Sequence, residues 1–369
     1  MIDSLIHKSF TFDGNSFGSE AEWIRFMDQH YPGGSELLRS WFGNGRIEVK
    51  TSGSTGTPKT LFFTRAQMRA SALATGQFFG MGEDTRALLC LPLEYIAGKM
   101  MLVRAMTLGW QLQGVEPSIQ LDLNQQDQYD FAAMIPMQLE ENLESLGGIE
   151  NLIVGGAAVN HRLQKKIESL PTKIYATYGM TETITHIAVK PLNRSAREES
   201  NGGPRFLAEE VYTGLPGVTF SKDERGCLVI NCPRISSNSI VTNDLVDRVT
   251  ENSFQLKGRI DNIINSGGVK LIPESIEQAY SECLSQRFFA AGLPDAKLGE
   301  KMIFVVEGKP DKELLHRLKV FQAASEGRIK RHEIPKDVIF LSKFEETDSG
   351  KVNRRKNLKR IVSEDPDPI

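Results

Sequence analysis

The sequence predicts an α/β protein: a large N-terminal domain of mostly parallel sheet with helices plus a small β region, then a small α+β C-terminal domain. Apolar runs of strand length alternate with amphipathic helical stretches in the first half of the chain. Between Gly202 and Phe254 the pattern changes to short segments separated by turns, and after residue 260 helix and strand patterns mix again. We place the boundary near Arg259–Asn262, so the expected domains are residues 1–260 and 261–369.

Three apolar segments predict the parallel part of the sheet. They are ALLCLPL (Ala87–Leu93), NLIVGG (Asn151–Gly156) and KIYATYG (Lys173–Gly179), and each ends in a loop. The segment HRLQKKIESL (His161–Leu170) between the last two predicts a helix. Strand, glycine turn, helix and strand in this order are typical of a βαβ unit, whose strands are parallel.

The other elements follow from similar patterns. The N-terminal segment EAEWIRFMDQHYPGGSELLRSWFGNG is amphipathic at helical spacing, so we expect it to cover one face of the sheet. In the small β region, strands are expected at GLPGVTF, CLVINC and FQLKGR. In the C-terminal domain we expect helices at PESIEQAYSECL and KELLHRLKVFQAA, and a strand at MIFVVEG.

Composition narrows the class of protein. The chain has 369 residues, 40% hydrophobic and 25% charged, with a net charge of −3, which is typical of a globular protein and argues against a whole-protein nucleic-acid binder. No apolar run approaches the roughly 18 residues of a membrane helix, and the N-terminus lacks a signal-peptide pattern. The cysteines form no C-x-x-C pair and the histidines no H-E-x-x-H, so we expect no structural metal and a cytoplasmic location.

The segment TSGSTGTPK (Thr51–Lys59) combines glycines, hydroxyls and a lysine. Glycines let the backbone approach a ligand closely, and hydroxyls with free N–H groups form a set of donors that suits a phosphate. It is not a G-x-x-x-x-G-K-[ST] loop, because Pro58 stands where the second glycine would be. The alternative is an ordinary Ser/Gly turn between two strands.

Two more polar loops follow predicted strands, GGAAVN (Gly155–Asn160) and YGMTETITH (Tyr178–His186). In open parallel sheets, ligands bind where such loops converge at the carboxyl ends of the strands. The carboxylate of Glu182 between the hydroxyls of Thr181 and Thr183 would suit Mg²⁺, which takes oxygen ligands and substrate phosphates. The alternative is that this segment only caps a helix.

Four motifs occur in one order: TSGSTGTPK, YGMTET, GRIDNIINSGGVKLIPESIE and DSGKVNRR. In this combination the chain resembles the adenylate-forming superfamily of acyl- and aryl-CoA ligases, carrier-protein adenylation domains and luciferases, from about Glu48 to about Arg355. The resemblance implies that an acid attacks the α-phosphate of ATP, giving an acyl-adenylate and pyrophosphate, and that a thiol then displaces AMP. It also implies the use of ATP, Mg²⁺ and coenzyme A, and a C-terminal domain that is mobile.

The resemblance assigns roles to residues of the N-terminal motifs. The loop residues that would hold the leaving pyrophosphate are Thr51, Ser52, Ser54, Thr55, Thr57 and Lys59. The small-residue turn beside the acyl and adenine pockets would be Gly155, Gly156 and Ala157. Tyr178 would lie against adenine, Thr181 would contact phosphate, and Glu182 would bind Mg²⁺.

Further roles fall near the boundary. Asp244 would bind the ribose, although Asn243 stands where the family usually has glycine, and Arg259 would also reach the ribose. Asp261 matches the hinge position of the family. After the hinge, the turn that would line the path of the thiol is Gly267 and Gly268.

Lys351 in DSGKVNRR matches the catalytic lysine of the family. Adenylation builds negative charge on the α-phosphate and on the attacking carboxylate oxygen, and a cation held there stabilises the transition state more than the ground state. The alternative is a solvated basic segment, since Arg328–Arg360 is rich in lysine and arginine.

The segment LPLEYIAGKMMLVRAMTLGWQL (Leu91–Leu112) resembles the one that follows the phosphate loop in o-succinylbenzoate–CoA ligases of menaquinone synthesis, particularly the short bacterial forms. Tyr95 stands where many relatives have histidine, and an aromatic ring there would border the acyl pocket. That acid has a second carboxylate, which needs a cation or a donor when buried. Lys99, Arg104 and His186 are the candidates, whereas the methionines of KMMLVRAM are expected to fill the core.

Three other functions stay open: another aryl- or acyl-CoA ligase, an adenylation enzyme that loads a carrier protein, and a catalytically inactive nucleotide-binding protein. The expected partners are a small carboxylic acid and CoA, without nucleic acid or a membrane span. The phosphate loop begins at Thr51, earlier in the chain than in the family. The N-terminal domain is therefore expected to be shortened, and a homodimer could compensate for this.

Overall fold

The computed structural model describes residues 5–31, 33–50, 60–124, 126–198, 210–325, 328–347 and 352–364. In these ranges the strands are β1 (Thr11–Phe12), β2 (Arg46–Lys50), β3 (Thr60–Thr64), β4 (Arg86–Leu89), β5 (Gln111–Gly114), β6 (Tyr129–Met134), β7 (Ile149–Val154), β8 (Lys173–Gly179), β9 (His186–Pro191), β10 (Val211–Gly214), β11 (Thr219–Lys222), β12 (Cys227–Asn231), β13 (Ile240–Thr250), β14 (Ser253–Arg259), β15 (Ile264–Ser266), β16 (Val269–Leu271), β17 (Phe288–Asp295), β18 (Gly299–Glu307) and β19 (Asp337–Leu341). The α-helices are α1 (Glu20–His30), α2 (Gly34–Phe42), α3 (Arg65–Phe79), α4 (Ile96–Leu108), α5 (Pro136–Glu141), α6 (His161–Ile167), α7 (Arg194–Arg197), α8 (Pro273–Tyr280), α9 (Lys312–Ala324) and α10 (Arg354–Glu364).

One large sheet contains 12 strands in the order β1-β5-β4-β6-β7-β8-β9-β10-β14-β13-β12-β11. From β1 to β8 every neighbouring pair is parallel. From β8 to β11 every pair is antiparallel. The predicted α/β class is confirmed, and the parallel part and the small β region form one continuous sheet through β9 and β10.

The first two helices are amphipathic, as the N-terminal segment predicts. Helix α1 begins after Ser19, whose hydroxyl accepts a hydrogen bond from the N–H of Glu22 at 3.2 Å. Trp23 of α1 and Trp41 of α2 are fully buried, in the same core cluster as Phe12 of β1. The two helices therefore bury their apolar faces in the core of the large sheet.

Helix α4 is buried on nearly every side. Every residue from Gly98 to Thr107 is buried, including Lys99 and Arg104. A Cβ atom at Gly98 would lie 2.2 Å from the carbonyl oxygen of Pro92, so this close approach requires glycine. The methionines of α4 fill core space, as the sequence predicts, while the two cations of the helix need another explanation.

The second sheet follows in the chain after the large one. Its order is β16-β15-β18-β17, and β19 pairs with β18. Its core cluster joins Phe304 of β18 with Tyr280 of α8 and Leu314 of α9. The change of sheet falls between Arg259, where β14 ends, and Ile264, where β15 begins. That residues 261–369 behave as a separate, mobile domain stays a prediction.

Most differences between predicted and observed elements lie at their ends. The strand expected at Ala87–Leu93 ends at Leu89, and the helix KELLHRLKVFQAA coincides with α9. Strand β6 lies in the middle of the parallel part and was not predicted from its sequence, YDFAAM. Among the described residues, no helix is long and apolar enough to span a lipid bilayer.

Candidate nucleotide and acyl site

Loops at the carboxyl ends of the parallel strands bring several predicted residues to one edge of the sheet. After β7 comes the small-residue turn of Gly155, Gly156 and Ala157, of which the last two are exposed. A Cβ atom at Gly155 would lie 2.6 Å from the hydroxyl oxygen of Thr177 on β8, and Gly156 has φ +87°. The position of Gly156 therefore favours glycine because its backbone is left-handed, whereas at Gly155 a side chain would crowd that of Thr177.

The segment after β8 contains a strained turn. Thr181–Thr183 forms one 3₁₀ turn, and Ile184 follows with φ 68° and ψ −59°. The N–H of Thr185 donates to the carbonyl of Thr183 at 2.8 Å. This is a γ-turn of the rare, strained hand at a fully buried, β-branched residue. Strain of this kind clusters at functional sites, and here it directly follows the exposed Glu182.

Tyr178 and Asp244 meet across the sheet although 66 residues separate them in the chain. The hydroxyl of Tyr178 donates to Oδ2 of Asp244 at 2.5 Å, and both side chains are buried. Burial, and then the charge of Asp244, raise the pKa of Tyr178 far above its usual value, so the hydroxyl keeps its proton and acts as the donor. The ring of Tyr178 packs against Phe254 and Tyr212, with centroids 4.9 and 5.8 Å away.

Arg259 connects Asp244 to Asp261. Its Nη1 donates to Oδ1 of Asp244 at 3.2 Å, and its Nη2 donates to Oδ2 of Asp261 at 2.9 Å. The hydrogen bond from Arg259 lowers the pKa of Asp261, and a hydrogen bond from Asn243 lowers it further, against an opposing effect of burial. The predicted ribose residues and the predicted hinge residue therefore form one polar cluster.

A second polar cluster lies inside the protein, around Arg104. Its Nη2 lies 3.2 Å from Nδ1 of His186, and its Nε donates to the hydroxyl of Thr75 at 3.3 Å. Only 1% of Arg104 is exposed, and no carboxylate of the described residues forms an ion pair with it. Burial lowers the pKa of Arg104 to about 9, so the guanidinium remains charged at neutral pH.

This geometry fixes the tautomer of His186. A guanidinium can only donate, so Nδ1 accepts and the ring proton lies on Nε2. Burial, and then the charge of Arg104, lower the pKa of His186 well below its usual value, so the ring is neutral. Within the described part of the chain, its buried Nε2 has no hydrogen-bond partner, and neither has the hydroxyl of Ser71. Both residues line a cavity of about 10 Å³, room for a single water.

The other candidate acyl-site residues lie on the same helix. Tyr95 immediately precedes α4 and is 66% exposed, and Lys99 one turn later is buried. The backbone N–H of Lys99 donates to the carbonyl of Tyr95 at 3.0 Å. Of the three candidate groups for a second carboxylate, the structure brings Arg104 and His186 together.

Several predicted residues lie outside the described ranges or in a different place. The phosphate loop Thr51–Lys59 and the predicted catalytic Lys351 lie outside the described residues. Gly267 and Gly268 join β15 to β16 with φ 58° and 81°, which is a two-residue turn with both residues left-handed. The turn geometry by itself accounts for glycine at these two positions, and their role towards a thiol stays a prediction.

Three polar contributors were not found from the sequence. Thr75 supports Arg104, and Arg225 donates to Oδ1 of Asn243 at 3.2 Å. Asn243 in turn donates from Nδ2 to both carboxylate oxygens of Asp261, at 3.1 Å each. Of the three, only Asn243 gave a signal in the sequence, because it stands where the family usually has glycine. Thr75 and Arg225 lie in segments without any motif.

Residues 51–235 match the model of a family described as AMP-binding enzyme. The chain belongs to this family. It is 23% identical over 345 residues to a 2-succinylbenzoate–CoA ligase of Bacillus cereus, with 86% of this chain and 70% of that one covered. The expectation of an adenylate-forming enzyme is thereby confirmed.

Two solved structures are similar to this one. An acyl-CoA synthetase (AMP-forming)/AMP-acid ligase II-like protein from Dyadobacter fermentans is 38% identical, with 89% of this chain and 93% of that one covered and a TM-score of 0.54. The o-succinylbenzoate–CoA synthetase of Bacillus subtilis, solved with its acyl-adenylate intermediate, has a TM-score of 0.69 at 19% identity, with 84% of this chain and 68% of that one covered. The second likeness concerns the fold alone.

The donor set at the end of β8 fits a metal that is completed by its substrate. Among the described residues there is no group of three or more His, Cys, Asp or Glu side chains that could hold a metal ion. Glu182 instead offers a single exposed carboxylate. Mg²⁺ commonly binds through one or two carboxylates together with substrate phosphates and waters, so Glu182 is compatible with such a site.

Proposed function

We propose that this enzyme is an acid–CoA ligase that activates o-succinylbenzoate through an acyl-adenylate, as a step of menaquinone biosynthesis. The succinyl carboxylate would attack the α-phosphate of ATP, forming a carbon–oxygen–phosphorus link while the bond to pyrophosphate breaks. The thiol of CoA would then attack the acyl carbonyl, losing its proton as the thioester forms and AMP leaves. Membership of the AMP-binding family supports the class, and the 2-succinylbenzoate–CoA ligase among its relatives supports the substrate.

The buried pair of Arg104 and His186 is the observation that supports the assignment of this substrate. A buried cation without a carboxylate partner is costly, because burial removes its hydration. A ligand that brings its own carboxylate would compensate for this cost. Among the described residues the Nε2–H of His186 has no acceptor, so it would donate to such a carboxylate if the cavity of about 10 Å³ beside it widened to admit the group. Arg104 fixes that tautomer and adds positive charge behind the ring. A fatty acid or a simple benzoate has no group for this pair.

On the nucleotide side, each assignment rests on the chemistry of a donor or acceptor. Asp244 is an acceptor that suits the two ribose hydroxyls, and Tyr178 borders it. Glu182 would bind Mg²⁺, which neutralises charge on the phosphates of ATP. The hydroxyls and N–H groups of Thr51–Lys59 would hold the β- and γ-phosphates, and Lys351 would stabilise the negative charge of the adenylation transition state.

A matched pair of acids tests the substrate. 4-Oxo-4-phenylbutanoate is o-succinylbenzoate without the ring carboxylate, so the two acids differ only in the group assigned to Arg104 and His186. Formation of the CoA thioester is followed by mass spectrometry with ATP, Mg²⁺ and CoA. We expect the wild-type enzyme to prefer o-succinylbenzoate by about 10⁴ in kcat/KM, because a site built to pair a polar group rejects analogues that lack it.

The variant Arg104→Met keeps an unbranched side chain and removes the charge. It should lose about 10²- to 10³-fold in kcat/KM on o-succinylbenzoate, the scale for removing one partner of a buried charged pair, and change little on the analogue. The control is Arg162→Met, which removes an exposed arginine of α6.

Turnover of another acid with o-succinylbenzoate inert would overturn the assignment of the substrate. Absence of acid-dependent ATP–pyrophosphate exchange with every acid would overturn the ligase.

A further inference from the structure

The side chain of Asn243, on β13 of the large sheet, forms three hydrogen bonds. Its Nδ2 donates to both carboxylate oxygens of Asp261 at 3.1 Å, and its Oδ1 accepts from Nη1 of Arg225 at 3.2 Å. A carboxylate can only accept and a guanidinium can only donate. The two neighbours therefore dictate which way the amide faces, with Oδ1 towards Arg225 and Nδ2 towards Asp261.

Arg225 is itself held in place. Its Nε donates to Oδ2 of Asp223 at 2.8 Å, and its Nη2 donates to the carbonyl of Thr242 at 3.0 Å. Thr242 precedes Asn243 on β13, so the guanidinium spans two consecutive residues of that strand. The guanidinium of Arg225 is planar, and each of its three nitrogens donates a hydrogen bond. The amide of Asn243 therefore has one favoured orientation.

The contacts continue from Asn243 to the ribose carboxylate. The carboxylate of Asp261 accepts hydrogen bonds from Nδ2 of Asn243 and from Nη2 of Arg259. Nη1 of Arg259 in turn donates to Asp244. Asp244 and Arg259 are also direct partners in the β13–β14 register. The side chain of Arg259 is 43% exposed, so without Asp261 its long chain could adopt other rotamers in solvent.

We infer that Asn243 is a positioning residue for recognition of the nucleotide's ribose: by holding Asp261 it fixes Arg259, and through Arg259 it fixes the carboxylate of Asp244. This inference rests on the proposed function, in which Asp244 accepts the ribose hydroxyls. A well-placed carboxylate needs less reordering when the nucleotide binds, and this preorganisation increases affinity. Asn243 and Asp261 act on the ribose without touching it.

The test compares AMP with 2′,3′-dideoxy-AMP, which lacks both ribose hydroxyls, in binding to the full chain by calorimetry. For Asn243→Ala we expect AMP to bind about tenfold more weakly, the scale of one hydrogen bond to a charged group. Binding of dideoxy-AMP should change by less than about twofold, because it makes no contact with Asp244. Asp261→Asn should show the same pattern. Val241→Ala, on an exposed residue two positions earlier on β13, should affect neither ligand.

The outcomes separate the inference from the proposed function. If wild-type protein binds no AMP, the proposed function is overturned and the inference with it. If the wild-type protein binds AMP and dideoxy-AMP equally, Asp244 is not the ribose acceptor and the inference is wrong. If Asn243→Ala weakens both ligands equally, or neither, while the wild-type protein prefers AMP, Asn243 is merely structural and only the inference fails. If Asn243→Ala does not fold, Asp261→Asn decides by the same comparison.

Discussion

From the hydrogen bond between Tyr178 and Asp244 we predict how far its loss lowers the free energy of unfolding. Tyr178→Phe removes the donor and keeps the ring, which packs against Phe254 and Tyr212. Asp244 then retains Nη1 of Arg259 at 3.2 Å, on a side chain that is partly in solvent. The perturbation is therefore the loss of one short hydrogen bond to a buried carboxylate, without a change in packing.

The expected cost follows from the burial of both partners. Tyr178 is 8% exposed and Asp244 is 7% exposed, so water cannot readily replace the lost donor. Hydrogen bonds to charged groups contribute about 1.5–3 kcal/mol to stability, and a buried acceptor left short of donors adds to the loss. We expect Tyr178→Phe to lower the free energy of unfolding by about 2 kcal/mol at neutral pH.

Urea unfolding followed by tryptophan fluorescence measures this loss. The chain's three tryptophans, Trp23, Trp41 and Trp110, are fully buried in the core of the large sheet, so their fluorescence reports on the part that contains Tyr178. The control is Tyr212→Phe in the same aromatic cluster. No described residue forms a hydrogen bond with the Tyr212 hydroxyl, and its removal should cost less than about 0.5 kcal/mol. Equal effects of the two substitutions would refute the reasoning.

Two further predictions concern His186 and Lys351. Folding lowers the pKa of His186, so as the pH falls the imidazole is protonated in the unfolded chain before it is protonated in the folded one. The free energy of unfolding should therefore be highest above the unfolded pKa of about 6.5 and should decrease at lower pH, by up to about 1.4 kcal/mol per pH unit. Urea titrations of His186→Asn should show a flatter profile between about pH 7 and 5, and a profile as steep as that of the wild-type protein would contradict the assignment. Lys351→Ala should slow acyl-adenylate formation by about 10²-fold or more and spare thioester formation from supplied acyl-adenylate, whereas equal loss in both half-reactions would exclude a role in adenylation alone.

The fold was predictable where local pattern decides it. Helix α9 coincides with its amphipathic segment, and β8 with the apolar run KIYATYG, because periodicity and flanking turns are local properties. Strand β6 was missed because YDFAAM is short and its two alanines carry little strand preference. Only its neighbours β4 and β7, which pair with it on either side, make it a strand.

The candidate site was predictable in its residues and not in their contacts. Motif positions indicated Tyr178, Asp244 and Arg259, and the structure brings them together. The sequence could not choose among Lys99, Arg104 and His186, because the choice depends on where α4 packs against β9. Arg225 was out of reach for a similar reason: its partner Asn243 lies 18 residues away, and their contact depends on the pairing of β12 with β13.

The strand order of the large sheet also sets the order in which a growing chain can assemble it. Among the described strands, β1 has β5 as its single neighbour, and Thr11 pairs with Gln111. The first strand therefore cannot pair until the fifth strand of the sequence has been made. Tyr178 likewise cannot form its hydrogen bond until Asp244 has been synthesised, and Asp244 cannot pair with Arg259 until that residue follows. Closing such long loops is entropically costly and slows folding. On the ribosome, the polar cluster of Tyr178, Asp244 and Arg259, which we propose as the ribose site, would therefore form only after Arg259 has been synthesised.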